Sequence, residues 1–187
     1  MKENITLADK VLEATGVSEG RCYQCGKCSA GCPVSSDMDY PPSLLIRMLQ
    51  VGTPEMEDKV LRSLTIWLCV SCEMCIGRCP QEVNIPAVMD YLKSESLRQK
   101  KVNPKAKHII QFHRAFLDSI NYTGKLYEVG LVADYKLRSK NLMQDVAVAP
   151  TMYLKGKLNL IPELIKDKKN MKRIFNKTLK KVKSEKE

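Results

Sequence analysis

One pattern constrains this chain more than any other: C-x2-C-x2-C-x3-C-P occurs twice, at Cys22–Pro33 and again at Cys69–Pro80. All eight cysteines fall within these runs, as Cys22, Cys25, Cys28 and Cys32 and then as Cys69, Cys72, Cys75 and Cys79. Three thiolates spaced by two residues wrap three iron corners of a cubane in one tight loop, but that loop cannot reach the fourth corner. In runs of this type the fourth cysteine ligates the other cluster, and the proline after it turns the chain away. The spacing therefore predicts two [4Fe–4S] clusters, one on Cys22, Cys25, Cys28 and Cys79 and the other on Cys69, Cys72, Cys75 and Cys32. Each would staple segments 47 residues apart, which couples metal binding to folding. Gly26, Ser29, Ala30, Gly31, Ser71 and Gly77 keep side chains small, so that backbone N–H groups can approach the sulfides.

Other uses of cysteine fit less well. Eight cysteines in 187 residues fall below the roughly 8–10% of a disulfide scaffold. Zinc sites use paired C-x2-C knuckles across a longer loop, and a triplet followed by C-P would waste a ligand on a tetrahedral ion. His108 and His113 stand five apart without metal-ligand spacing, while Trp67 and Met74 flank the second triplet as expected apolar shielding. No Gly-rich phosphate loop, hydrolase elbow or paired-carboxylate signature stands out, so no catalytic residue is expected on this chain.

The rest of the sequence reads as helix, and the fold class expected is all-α, with the cysteine runs in loops between helices. Thr6 and Asp9 suit a capping box, and Gly16 a stop, for a helix over 6–15. Pro42 and Gly52 bound a second at 42–51, and Met56, Val60, Leu61, Leu64 and Leu68 share one face of a third predicted over 55–68. Asn84 with Pro86, and Asn103 with Pro104, open two more. Further helical structure is expected within 125–140, then a looser stretch over 141–160. Pro162 is the expected start of a lysine-rich helix with Leu164, Ile165, Met171, Ile174, Phe175 and Leu179 at apolar positions, ending in a frayed tail. Two domains are expected: 1–101, carrying both clusters, and a helical extension at 102–187.

Charge is distributed unevenly. The formal value is +10, and residues 151–187 hold twelve Lys or Arg against four Asp or Glu. Two oxidised clusters of about −2 each would bring the loaded chain to roughly +6. Few aromatics interleave with the tail lysines, whereas apolar residues do, so a docking helix is the expected use; a zinc-stabilised nucleic-acid binder is the non-redox alternative. The first residues lack the pattern of a secretory signal, and the most apolar stretch, 64–76, is too short to span a bilayer, which together predict a cytoplasmic protein without a membrane span.

The segments RCYQCGKCSAGCPV, WLCVSCEMCIGRCP, FHRAFLDSINYTGKLYEVGL and KGKLNLIP resemble the C subunit of the heterodisulfide reductase of methanogens. That resemblance implies an α-helical ferredoxin fold and an electron-relay role within an oxidoreductase, without a substrate site on this chain. It implies partners as well: a flavin- and iron–sulfur-containing A subunit that performs electron bifurcation, and a catalytic B subunit that reduces the coenzyme M–coenzyme B disulfide in methanogenesis. The whole would sit within a larger hydrogenase or formate dehydrogenase assembly. Relay subunits of the fumarate reductase or glycerol-3-phosphate dehydrogenase type are the alternative. The first adds a [2Fe–2S] domain and the second often a Cys-Cys-Gly region, for which this chain has no cysteines.

Overall fold

A computed structural model describes residues 5–140, 149–156, 162, 165 and 167–184. Among the described residues the structure is helical and contains no strand, in agreement with the expected class. The chain divides into two compact units, the first ending at Ala106 and the second beginning at Lys107.

In the first unit, α1 (Leu7–Thr15) opens on a complete capping box, with Thr6 accepting the Asp9 N–H and Asp9 accepting the Thr6 N–H, and closes on Gly16 in the left-handed region. Helix α3 (Pro42–Val51) starts at Pro42 and stops at Gly52, as its sequence predicts. Helix α4 (Pro54–Leu61) is capped by Thr53, and α7 (Ile85–Arg98) by the Asn84 side chain, which accepts the Ala87 N–H. Their apolar faces meet in one core: Leu7 and Val11 of α1, Leu45, Ile46 and Leu49 of α3, Val60 and Leu61 of α4, and Val88, Met89 and Leu92 of α7 are all buried. Each such side chain contributes about 1.5–3 kcal/mol when taken out of water. Glu57 of α4 accepts the free Leu7 N–H of α1 at 2.6 Å, tying those two helices together.

The helix expected over 55–68 is broken in two. Helix α4 ends at Leu61, and a separate short helix, α5 (Thr65–Leu68), begins after Ser63 and Leu64. Side chains from elsewhere satisfy the backbone groups this break sets free: Ser96 donates to the Leu61 carbonyl at 2.8 Å and Asn103 to the Arg62 carbonyl at 2.8 Å. On the far side of the break, Asp39 accepts the Leu64 and Thr65 N–H groups at 2.7 and 2.9 Å. Apolar periodicity could not reveal caps supplied from distant parts of the chain.

The second unit is built on α8 (Lys107–Thr123), which follows the short 3-10 turn at Pro104–Ala106, and on α9 (Glu128–Ser139), which follows the loop around Gly124. Gln111 donates to the Arg138 carbonyl at 2.9 Å while Ser119 accepts the Tyr127 N–H at 3.1 Å, so the two helices run antiparallel. Phe112 meets Tyr135 edge to face at 5.8 Å, and Arg138 bridges Asp118 at 2.7 Å and Asp134 at 2.9 Å. Within the stretch expected to be loose, Ala149–Leu154 forms a short helix, α10; residues 141–148 and 157–160 lie outside the described residues. The lysine-rich helix, α11 (Lys168–Ser184), begins six residues later than expected because Asp167, not Pro162, caps it by accepting the Asn170 N–H at 3.2 Å. Leu164, the Leu179 side chain and the tail at 185–187 are outside the described residues.

Candidate metal centre

The sequence repeat is also a backbone repeat. In the first run Gln24 (φ +62°) and Gly26 (φ +76°) are left-handed and lead into the single-turn helix α2 (Lys27–Ala30), which carries Cys28. In the second, Ser71 (φ +51°) and Glu73 (φ +62°) take the corresponding left-handed positions ahead of α6 (Met74–Gly77), which carries Cys75. Three of these four residues are not glycine, and left-handed non-glycine residues gathered in one place mark a backbone held for a purpose. A left-handed residue followed by a right-handed one turns successive N–H groups to one side, forming a nest suited to a bound anion such as a thiolate-ligated cluster.

Helices α2 and α6 pack against each other, and α2 also against α3. Residue 31 lies so close to the Arg78 side chain that a Cβ there would come within 2.4 Å of Arg78 Cδ, so this glycine permits close approach of the two runs. Ser29 has a role beyond its small size. Its hydroxyl accepts the Ser43 N–H at 2.9 Å and pairs with the Ser43 hydroxyl at 2.7 Å, satisfying a donor at the start of α3, where Pro41 offers no side-chain cap. Gly77 has no neighbour among the described residues near the position a Cβ would take.

All eight thiols are free of disulfides. Cys32, from the end of the first run, faces Cys69, Cys72 and Cys75 across one cavity, whose apolar wall is made by Val34, Met38, Val70, Met74, Ile85 and Met89. Desolvation first, and then its neighbours Cys25, Cys79 and Cys22, push the Tyr23 phenol pKa up, so cysteines of both runs share the neighbourhood of one side chain. Cys28 lies near Cys22, and its thiol is raised first by burial, with Ser29 working against the rise. Burial pushes the Cys75 thiol up to about 11, with Cys69 and Cys28 adding to it. Thiols held this firmly in their protonated form lose the proton to a metal that replaces it. Cys25 and Cys72 are exposed and Cys28 is buried. Four sulfurs around an apolar cavity, flanked by backbone nests, fit a thiolate-ligated iron–sulfur cluster in both donor chemistry and surroundings.

Met74 lines that cavity, in keeping with its expected shielding role, and Trp67 is buried in α5 with its indole N–H unpartnered among the described residues. His108 and His113 are both exposed on α8. Two side chains that periodicity and spacing did not single out join the first run. Gln24 donates its amide N–H to Cys22 Sγ at 3.4 Å, and Gln50, from the end of α3, donates to the Glu19 and Cys22 carbonyls at 2.8 and 2.7 Å. Glutamine beside a ligand in the sequence was a visible signal for the first; nothing local marked the second.

Comparison with known proteins defines the class. Residues 19–83 match the 4Fe-4S dicluster domain family, so a dicluster domain is present, and that span contains both cysteine runs. The similarity then becomes more particular. The chain is 30% identical to the C subunit of the H(2):CoB-CoM heterodisulfide,ferredoxin reductase of Methanothermobacter marburgensis over 105 residues, which are 56% of this chain and 55% of that relative. It is 28% identical to the iron-sulfur C subunit of the CoB–CoM heterodisulfide reductase of Methanopyrus kandleri over 167 residues, 89% of this chain and 81% of that one. With the C subunit of the Ferredoxin:CoB-CoM heterodisulfide reductase of Methanosarcina acetivorans it shares 32% over 98 residues, covering 50% of this chain and 38% of the relative. The resemblance to the C subunit of heterodisulfide reductase is thereby borne out, although the Methanothermobacter match spans only about half the length of that relative. Among the described residues no helix is long and apolar enough to cross a membrane.

Proposed function

We propose that this chain is the electron-relay subunit of a heterodisulfide reductase complex, holding two [4Fe–4S] clusters and no substrate site. The observation that carries the reading is the placement of Cys32 opposite Cys69, Cys72 and Cys75 in one apolar-walled cavity, supported by the names of its relatives. The cavity favours crossed ligation, with Cys22, Cys25, Cys28 and Cys79 holding the other cluster; the shared neighbourhood of Tyr23 supports that second set. Clusters bound there would supply two one-electron centres close together. The chain's own residues do the rest: the left-handed loops aim N–H groups inward, and Val34, Met38, Val70 and Ile85 keep water from the second site.

In this reading the flavin-containing, bifurcating A subunit lies on one side of the relay and the catalytic B subunit, which reduces the coenzyme M–coenzyme B disulfide, on the other, in the cytoplasm. The cluster domain ends near residue 101 and the remainder docks partners. Helix α11 supports this, presenting Lys169, Lys172, Arg173 and Lys177 along one exposed face to an acidic surface.

The deciding measurement is iron and acid-labile sulfide per chain after anaerobic purification, with electron paramagnetic resonance of the reduced sample. About eight of each, with interacting signals, supports two clusters. About two zinc ions with no labile sulfide would overturn the reading.

A further inference from the structure

We infer that the two cluster sites are built for unequal reduction potentials, and that Gln24 is the side chain that makes the site of Cys22, Cys25, Cys28 and Cys79 the higher of the two. The inference rests on the two-cluster reading above and goes beyond it.

Beside Cys22 runs a chain of amides whose orientation is fully determined. Gln50 Nε2 donates to two backbone carbonyls, Glu19 O at 2.8 Å and Cys22 O at 2.7 Å, which uses both of its protons. Its Oε1 must then face the other way, where it accepts from Gln24 Nε2 at 3.2 Å and from Arg47 at 3.4 Å. Gln24 is thereby obliged to present its NH2 group, and the second proton of that group points to Cys22 Sγ at 3.4 Å. A hydrogen bond to a ligating sulfur withdraws electron density from the cluster and favours the more negative reduced state, so it raises the potential. The same set gains another such bond, from the Val83 backbone N–H to Cys79 Sγ at 3.4 Å.

The second site lacks this support although its backbone repeats the first. Ser71 occupies the position corresponding to Gln24, with the same left-handed conformation but a side chain too short to fold back as an amide would. Among the described residues no side-chain amide donates to the sulfur of Cys32, Cys69, Cys72 or Cys75; the backbone N–H groups of Cys75 and Ile76 reach Cys75 Sγ, but those of Cys28 and Ser29 reach Cys28 Sγ in the same way, so that local support is common to both sites. Around these four the cavity wall is apolar and includes Glu73, both of which disfavour added negative charge. Lys93, a cation close by, reaches the Cys69 carbonyl at 3.2 Å but is paired with Asp90 at 2.9 Å.

The test is a redox titration of the full-length, anaerobically loaded chain, followed by electron paramagnetic resonance, on the native protein and on Gln24→Leu. The native chain is expected to reduce in two separated waves; in Gln24→Leu the higher wave moves down toward the lower, while iron and sulfide stay at the native count. Gln50→Leu keeps the donor but releases its orientation, and is expected to give a smaller shift of the same wave; it decides the matter if Gln24→Leu does not load. A single native wave, an unmoved higher wave, or movement of the lower one would overturn the assignment. An iron count far from eight in the native chain would instead overturn the two-cluster reading, so the two failures are distinct.

Discussion

Asp39 caps the helix that begins at residue 65: its Oδ2 accepts the Leu64 N–H at 2.7 Å, from 25 positions away along the chain. Its other oxygen takes the Thr65 N–H at 2.9 Å and the Thr65 hydroxyl at 2.6 Å. A residue just beyond the first cysteine run thus sets the start of α5, the turn that delivers the chain to Cys69. Asp39→Ala removes the acceptor from two orphan donors and is expected to lower stability by about 1–2 kcal/mol, the usual loss for a cap. Denaturant unfolding of the loaded protein checks this. Loosening at Cys69 should also speed loss of the second cluster to a chelator, whereas an unchanged loss rate would separate the cap from the site.

Acid should expose a second carboxylate. Arg98 beside Glu95 holds its carboxyl below the usual glutamate range, against the opposing effect of burial, with Gln99 assisting. Between the folded value and the ordinary one of about 4.3 the unfolded chain binds more protons, so stability rises with pH there. The contribution is fully present above about 4.3 and disappears as pH falls through the folded value. Glu95→Gln is therefore expected to be less stable than the native chain at pH 7, with the gap narrowing below pH ~4. Paired unfolding curves at each pH measure it.

Crossed ligation separates two outcomes for one substitution. Cys79→Ser is expected to damage chiefly the cluster built on Cys22, Cys25 and Cys28, and Cys32→Ser the one built on Cys69, Cys72 and Cys75. Paramagnetic resonance of the reduced variants distinguishes the two signals. Selective loss of each cysteine's own local cluster would refute the crossing.

Glu73 is expected to tolerate glycine. At φ +62° it occupies the position that Gly26 takes in the first run, in a conformation that disfavours a side chain by roughly 1–2 kcal/mol. The gain in unfolded-chain freedom offsets about 0.4–1 kcal/mol of the relief, so Glu73→Gly should match or slightly exceed native stability. Gly26→Ala, made at the equivalent φ of +76°, should be less stable than native. Thermal unfolding of the two variants side by side gives the comparison.

Metal removal should act unevenly. Among the described residues of 19–41 only Cys28 and Met38 are buried, whereas α3 and α7 bury Leu45, Ile46, Leu49, Val88, Met89 and Leu92. Chelation under anaerobic conditions is expected to abolish amide hydrogen-exchange protection in the two cysteine runs and to leave it in α3 and α7. Equal loss in both would show that the helical core depends wholly on metal.

The parts of this structure that were legible in the sequence are those written in local chemistry. Thr6 with Asp9, Pro42 with Gly52 and Asn84 with Pro86 placed helix ends because caps act within a few residues. The cysteine spacing announced both runs. What local chemistry could not announce were partners far along the chain: Asp39, Ser96 and Asn103, which break the helix expected over 55–68, and Gln50, which reaches back to Cys22. Pro162 misled for the opposite reason. It was a fitting first residue, but Asp167 offered a carboxylate to the Asn170 N–H and took the cap.

The cavity around Cys32 is closed by Ile85, Pro86 and Met89 of α7 as well as by the second run. Because α7 supplies part of the wall, the cavity around Cys32 has no complete lining before residue 89 has been synthesised. On the proposed ligation, a scaffold handing over a cluster before that point would meet only half a mould.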